Sequence, residues 1–235
     1  MRNFFTLEGV DSRDVGVYIS GQGTFNASAR DYNMIPVPGR NGDLVGPEKR
    51  FQNGTLVYPA FIYANFKQNI ADFRNYLLSL VGYHDLIDSY HPTEIRKVLF
   101  QGPFNAEVVT KNDAGSFDVE FICKPQRFLT SGQQVTTLTA DGSITNPTLF
   151  DSQPLMRVYG VGALGVGSQT VTITQADEYT DIDSEMMDAF KGTANKNPYV
   201  QLTNYNFPVF VPGVNNISLG SGITQVDITP RWWLV

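Results

Sequence analysis

The chain has 235 residues, 42% hydrophobic, 12% aromatic and 17% charged, with a formal net charge of −6 at pH 7. This length accommodates two domains, the aromatic content argues against a disordered chain, and the absence of any Lys/Arg-rich run argues against general phosphate-backbone binding. The single cysteine, Cys123, excludes an intrachain disulfide, and no apolar run approaches the roughly 18 residues of a membrane span.

The first third reads as short strands, FFTLEG, VGVYISG and TLVYPAFIYAN, rich in β-branched and aromatic residues. Between the second and third lies IPVPGRNGDL, with Pro36, Pro38, Gly39 and Asn41-Gly42 crowded around Arg40. Proline fixes φ while Gly and Asn tolerate φ > 0, so a stiff reversal between two extended segments is expected. The spacing of Phe66, Ile70, Phe73, Leu77, Leu80 and Val81 predicts an amphipathic helix over 66–81. Asn65 is its expected N-cap, Gln68 the capping-box partner and Gly82 the stop. Strands resume after it, with EIRKVLFQGPF and NAEVVTKNDAGSFDVEFICKP expected to form antiparallel ribbon turning at Asn112–Gly115. Cys123 falls in that strand-like run, where a buried thiol acts as a small hydrophobe.

The texture becomes polar and threonine-rich around Thr130–Gln134. We therefore expect domains at 1–133 and 134–235. The second carries short strands and turns at the spacing of an all-β sandwich, interrupted by DEYTDIDSEMMDAFKGTANKN, a charged hairpin candidate.

No motif nominates catalysis. GVGALG at 160–165 matches a dinucleotide fingerprint, but LMRVYG and VGSQTVTIT flank it, so a strand–turn–strand is expected. His84, Asp85, Asp88, His91 and Glu94 cluster beyond the helix without recognised ligand spacing, and read as solvated polar residues of a connection. A hydrolase built on them is the weakest of three functional readings. No cofactor or metal site is expected. In TQVDITPRWWLV the strand phase of Val226 and Ile228 puts Trp232 inside and Trp233 outside. MRNFFTLEGVDSRD has neither an apolar core nor a cleavage site, so no secretion signal is expected.

Taken in order, FFTLEGVDSRDVGVYI, IPVPGRNGDL, FKQNIADFRNYLLSLVGYHDLID, FDVEFICKPQRFL, SITNPTLFDSQPLMRVYGVG, NPYVQLTNYNFPVFVPGVNNISL and ITQVDITPRWWLV resemble the distal tail protein (Dit) of long non-contractile-tailed bacteriophages. The resemblance spans nearly the whole chain. It implies a mostly β protein: an N-terminal β-sandwich-like ring domain with one long helix and extended hairpins, then a galectin-like β-sandwich.

The implied function is structural and non-catalytic. Six copies would close a ring in the virion tail, assembled in the host cytoplasm, joining the tail tube to the tip and receptor-binding proteins, with no membrane insertion. Genomic DNA would pass through without specific binding, along a lumen whose negative charge repels phosphate. Arg40, Asp43, Glu48 and Asp113, on N-domain turns, are the expected interface or lumen residues. The alternative is a carbohydrate-binding module, with Tyr205 or Trp233 stacking on a host-surface sugar. At this length the second domain has no room for the inserted carbohydrate module of larger relatives.

Overall fold

The computed structural model describes residues 2–21, 24–46, 50–103, 105–110 and 113–235. They fold into two compact units, Met1–Arg127 and Phe128–Leu234, with Val235 grouped with the first. The division falls a few residues before the expected 133/134. Phe128 is buried, Leu129 packs against the second core, and Gly132 lies against Trp232, where a Cβ would meet the Trp232 amide nitrogen at 2.3 Å.

The first unit is built on an antiparallel sheet with strand order Val10–Asp11, Phe5–Leu7, His84–Asp88, Glu94–Leu99, Ala114–Leu129, Gly54–Ile62 and Tyr18–Ile19. Ala106–Thr110 pairs beside the start of Ala114–Leu129. Alternating residues of Gly54–Ile62 and Ala114–Leu129 face inward: Leu56, Tyr58, Ala60 and Ile62 oppose Phe121, Val119, Phe117 and Gly115. Phe5 is four strands from Tyr58 in the sheet order, yet their rings stack at 5.5 Å. The sheet therefore rolls around its core, and the Ile19 amide at its far edge donates to the Asn3 carbonyl at 3.0 Å. This is the sandwich-like body that the resemblance implies.

The long helix runs Phe66–Ser79 and buries Phe66, Phe73 and Leu77, with Ile70 and Leu80 partly covered. Its ends correct the sequence reading. Asn65 sits at φ +53 and makes no side-chain cap, and Gln68 turns to the Asp72 carboxylate. The start is sealed instead by Asp113, whose carboxylate accepts from the Asn65 amide at 2.9 Å and whose carbonyl accepts from Phe66 at 3.1 Å. This long-range bond carries no local sequence signature. Leu80 is already extended, Val81 is 89% exposed, and Gly82 at φ +95 turns the chain toward His84.

The second unit is the expected two-sheet sandwich. One sheet orders Thr136–Leu138, Ile223–Thr229, Leu155–Gly160, Tyr179–Asp183, Asp188–Lys191 and Ala194–Asn195; the other orders Gly142–Asn146, Gly213–Leu219, Gly162–Val166, Gln169–Ile173 and Val200–Leu202. Met156, Val158, Ile182, Val226 and Ile228 pack with Leu164, Val166, Val171, Ile173 and Ile217. GVGALG is a strand–turn–strand: Gly160, at φ +100, passes so close to Gly222 that a Cβ would lie 2.0 Å from its carbonyl oxygen. The glycines serve a backbone crossing between strands. The charged interruption is also a hairpin, Tyr179–Asp183 against Asp188–Lys191. No helix among the described residues is long and apolar enough to cross a membrane.

Candidate functional site

IPVPGRNGDL forms the outer part of a two-stranded arm. Met34 pairs with Val45 and Ile35 with Leu44 in a sheet of their own. The pairing continues toward the body through Gly46 N–H to Asn33 O, Asp31 N–H to Arg50 O and Gln52 N–H to Ala29 O, at 2.7–2.9 Å. At the tip, Arg40 N–H reaches Val37 O at 3.2 Å with Gly39 at φ +78. Proline and then a positive-φ glycine at the two central positions are the requirements of a type II turn. The crowded special-angle residues are thus a stiffened tip.

The base of the arm is tied down. Asn26 donates to the Thr55 carbonyl at 2.6 Å, and buried Arg96 donates to the Thr24 carbonyl at 2.7 Å. Asp31 accepts from both Arg50 and Gln52, and the Arg30 guanidinium lies over the Phe51 ring at 4.3 Å. The outer part is bare. Tyr32, Met34, Ile35, Leu44 and Val45 are each 40–58% exposed. Directly opposed pairs share one face and adjacent pairs point oppositely, so Met34/Val45 and Ile35/Leu44 make both faces apolar.

A two-stranded ribbon is marginal by itself in water, and a contiguous exposed apolar surface marks an interaction site. Covering on the order of 300 Å² of such surface is worth about 7 kcal/mol before ordering costs. This arm is the candidate site.

Arg40 and Asp43 lie exposed on the arm's loop, and neither side chain has a partner among the described residues. Glu48 lies outside the described residues. Asp113 is not on the arm but at the helix start, where it holds two backbone amides. In the second unit Tyr205 is 95% exposed on a left-handed backbone, at φ +58. Trp232 is buried against Phe210 as the strand phase predicts, whereas Trp233 is half-buried, stacks on Phe150 at 4.5 Å and donates its indole N–H to the Asp151 carbonyl. One ring face and the polar handle of Trp233 are therefore committed within its own unit.

The His84–Glu94 residues disperse among separate partners. His84 bonds Glu8 at 3.1 Å, Lys97 meets Asp85, and Glu94 holds Arg127 at 3.1 Å. Asp88 is buried, accepting from the Tyr58 hydroxyl at 2.6 Å, the Tyr90 and His91 amides and the His91 ring. That carboxylate closes a turn and ties it to the core. No group of three metal-ligating side chains is found among the described residues. Burial pushes the Cys123 thiol up to about 11, which keeps it protonated and unreactive at neutral pH.

Sequence reading missed the surface on the outward face of the rolled sheet. Pro59, Ser116, Asp118, Asn105 and Glu107 border a groove of about 400 Å³. The alternation in SFDVEF puts Ser116, Asp118 and Glu120 on one face, and the expected ribbon supplies a second wall. Its register, which sets Glu107 opposite Ser116 after a shift at Ala114/Gly115, is not given by the sequence.

No family model matches the chain, and no curated protein matches it in sequence. Among solved structures it is similar to the SPP1 Dit protein, described as a paradigm of hub adsorption apparatus in phages infecting Gram-positive bacteria. The TM-score is 0.76 at 12% identity, covering 100% of both chains. It is also similar to a chain of the phage p2 baseplate in its activated conformation with Sr, with TM-score 0.51 at 12% identity over 96% of this chain and 97% of the other.

Proposed function

We propose that this chain, which has the fold of the SPP1 Dit hub protein along its full length, is a structural hub of a phage tail. Copies assemble through the first unit into a ring, six-fold as the resemblance implies, that joins the tail tube to the tip and receptor-binding proteins. The observation that carries this reading is the arm. A ribbon apolar on both faces, stiff at its tip and anchored at its base, is built to lie against another molecule. The second unit is a separate sandwich whose sheets cover each other. The protein performs no catalysis, and DNA passes the ring without specific binding.

Native mass measurement of the purified protein tests this. A closed species of six chains supports the hub, and a strict monomer across a wide concentration range contradicts self-assembly.

A second reading, contact with a surface glycan, is favoured by one observation: Tyr205 holds an open aromatic ring at the surface of the second unit. Pull-down on host cell-wall polysaccharide, lost on Tyr205→Ala, would support it; unchanged or absent binding would dismiss it.

A further inference from the structure

The geometry points to a specific seat for the arm: the outward groove of the rolled sheet on a second copy of this chain, with Arg40 of one copy set between Glu107 and Asp118 of the next. The inference rests on the hub reading and goes beyond it by naming the receiving surface and the charges that fix the register.

The groove crosses three adjacent strands. Phe61 opposes Ser116 and Pro59 opposes Asp118 on one side, and Glu107 opposes Ser116 on the other. Its volume is about 400 Å³. Pro59 gives it an apolar patch, the backbone of inward-facing Ala60 and Phe117 passes beneath, and Asn105, Glu107, Ser116 and Asp118 are its polar walls. Phe61 extends the apolar part to the surface, and Tyr18 stacks on it at 5.7 Å. Glu107 and Asp118 make no side-chain hydrogen bond or ion pair among the described residues, and both are exposed.

The arm is the complement of this surface. It offers apolar side chains on either face and a cation at the tip. Its other described arginines are spoken for, Arg30 by the Phe51 ring and Arg50 by Asp31. Among the described residues Arg40 alone of these has no side-chain partner, and it sits on a turn stiffened by Pro38. A planar guanidinium presents several donors at once and can bridge two carboxylates flanking a slot. Asp43, three residues on, would otherwise repel an acidic wall, but Asn105 at the groove's rim supplies amide donors for it. The rigid tip loses little further backbone entropy on seating. The apolar faces supply affinity, while the charges select register and partner.

A charge-reversal cycle on the full chain tests the seat, read as the concentration at which half the protein is assembled. All three positions are exposed, so reversal leaves the fold intact, which a thermal melt verifies. Arg40→Glu is expected to raise that concentration at least about tenfold, and Glu107→Arg with Asp118→Arg to do the same. Combining all three is expected to restore assembly to within about threefold of the original. Additive losses in the triple variant, with the unmodified chain still assembling, would overturn the seat and leave the arm's general role standing. Failure of the unmodified chain to assemble would overturn the hub reading and this inference with it.

Discussion

The two units dispose of apolar surface in opposite ways. In Phe128–Leu234 each sheet covers the inner face of the other; exposed apolar residues such as Leu149, Val161 and Val214 lie on separate turns and strands, and Met186 and Met187 form one adjacent pair on a hairpin turn. In Met1–Arg127 a rolled sheet and one helix enclose a comparable core, but five apolar side chains are then spent on a ribbon that its own chain leaves uncovered. Scattered exposed hydrophobics are ordinary on a soluble surface; a continuous two-faced ribbon is not. The contrast is what supports the proposal that assembly runs through the first unit.

The largest effect expected is on assembly. Met34→Asp with Val45→Asp places carboxylates on one face of the arm, and the protein is expected to become monomeric while its melting temperature stays nearly unchanged. Loss of folding along with assembly would mean that the arm belongs to the core, and the contrast between the units would break.

Next in size is a change confined to the second unit. Asp183 is buried, accepts two hydrogen bonds from Arg231 at 2.7 and 2.8 Å, and also holds the Glu185 and Met186 amides. Asp183→Asn removes the charged partner of those two short hydrogen bonds and leaves Arg231 with the Glu185 carboxylate at 3.5 Å. It is expected to cost about 3 kcal/mol in a denaturant titration, without altering the oligomer. Burial pushes the Asp183 carboxyl up, but the Arg231 hydrogen bonds, its charge and the two amides outweigh it, so the net shift is downward. A depressed folded pKa gives stability that is present above the unfolded value of about 3.9 and is lost as pH falls through the folded one. The second unit should therefore weaken below about pH 4, and Asp183→Asn should flatten that slope.

Two smaller changes sharpen the account of the first unit. Tyr58→Phe removes one donor from buried Asp88, which keeps the Tyr90 and His91 amides, and should cost about 1–2 kcal/mol by chemical denaturation. Asp113→Ala frees the Asn65 amide and should cost about 1 kcal/mol. If Asp113 instead lines an interface, its replacement would shift the assembly midpoint, which native mass separates from a stability loss.

Much of this organisation was legible because it is periodic. The helix face, the inward phase of Trp232, the stiff reversal at 35–44 and the strand–turn–strand around GVGALG all follow from local spacing and turn chemistry. What escaped depends on contacts distant in sequence. Asp113 seals a helix that begins 47 residues earlier, so the local candidate Asn65 drew the assignment that a remote residue fulfils. Arg96 reads as an ordinary strand residue, and only the fold brings it under the Thr24 carbonyl to hold the arm's base. The antiparallel ribbon that carries the groove was expected from the sequence, but the register that sets Glu107 beside Ser116 depends on a shift at Ala114/Gly115 that local spacing does not show.

The most direct test of the central claim is the native mass of the full-length protein beside the Met34→Asp/Val45→Asp variant at matched concentration. The account predicts a closed species of six chain masses for the first and a folded monomer for the second. An identical oligomer in both would show that the arm does not join the copies.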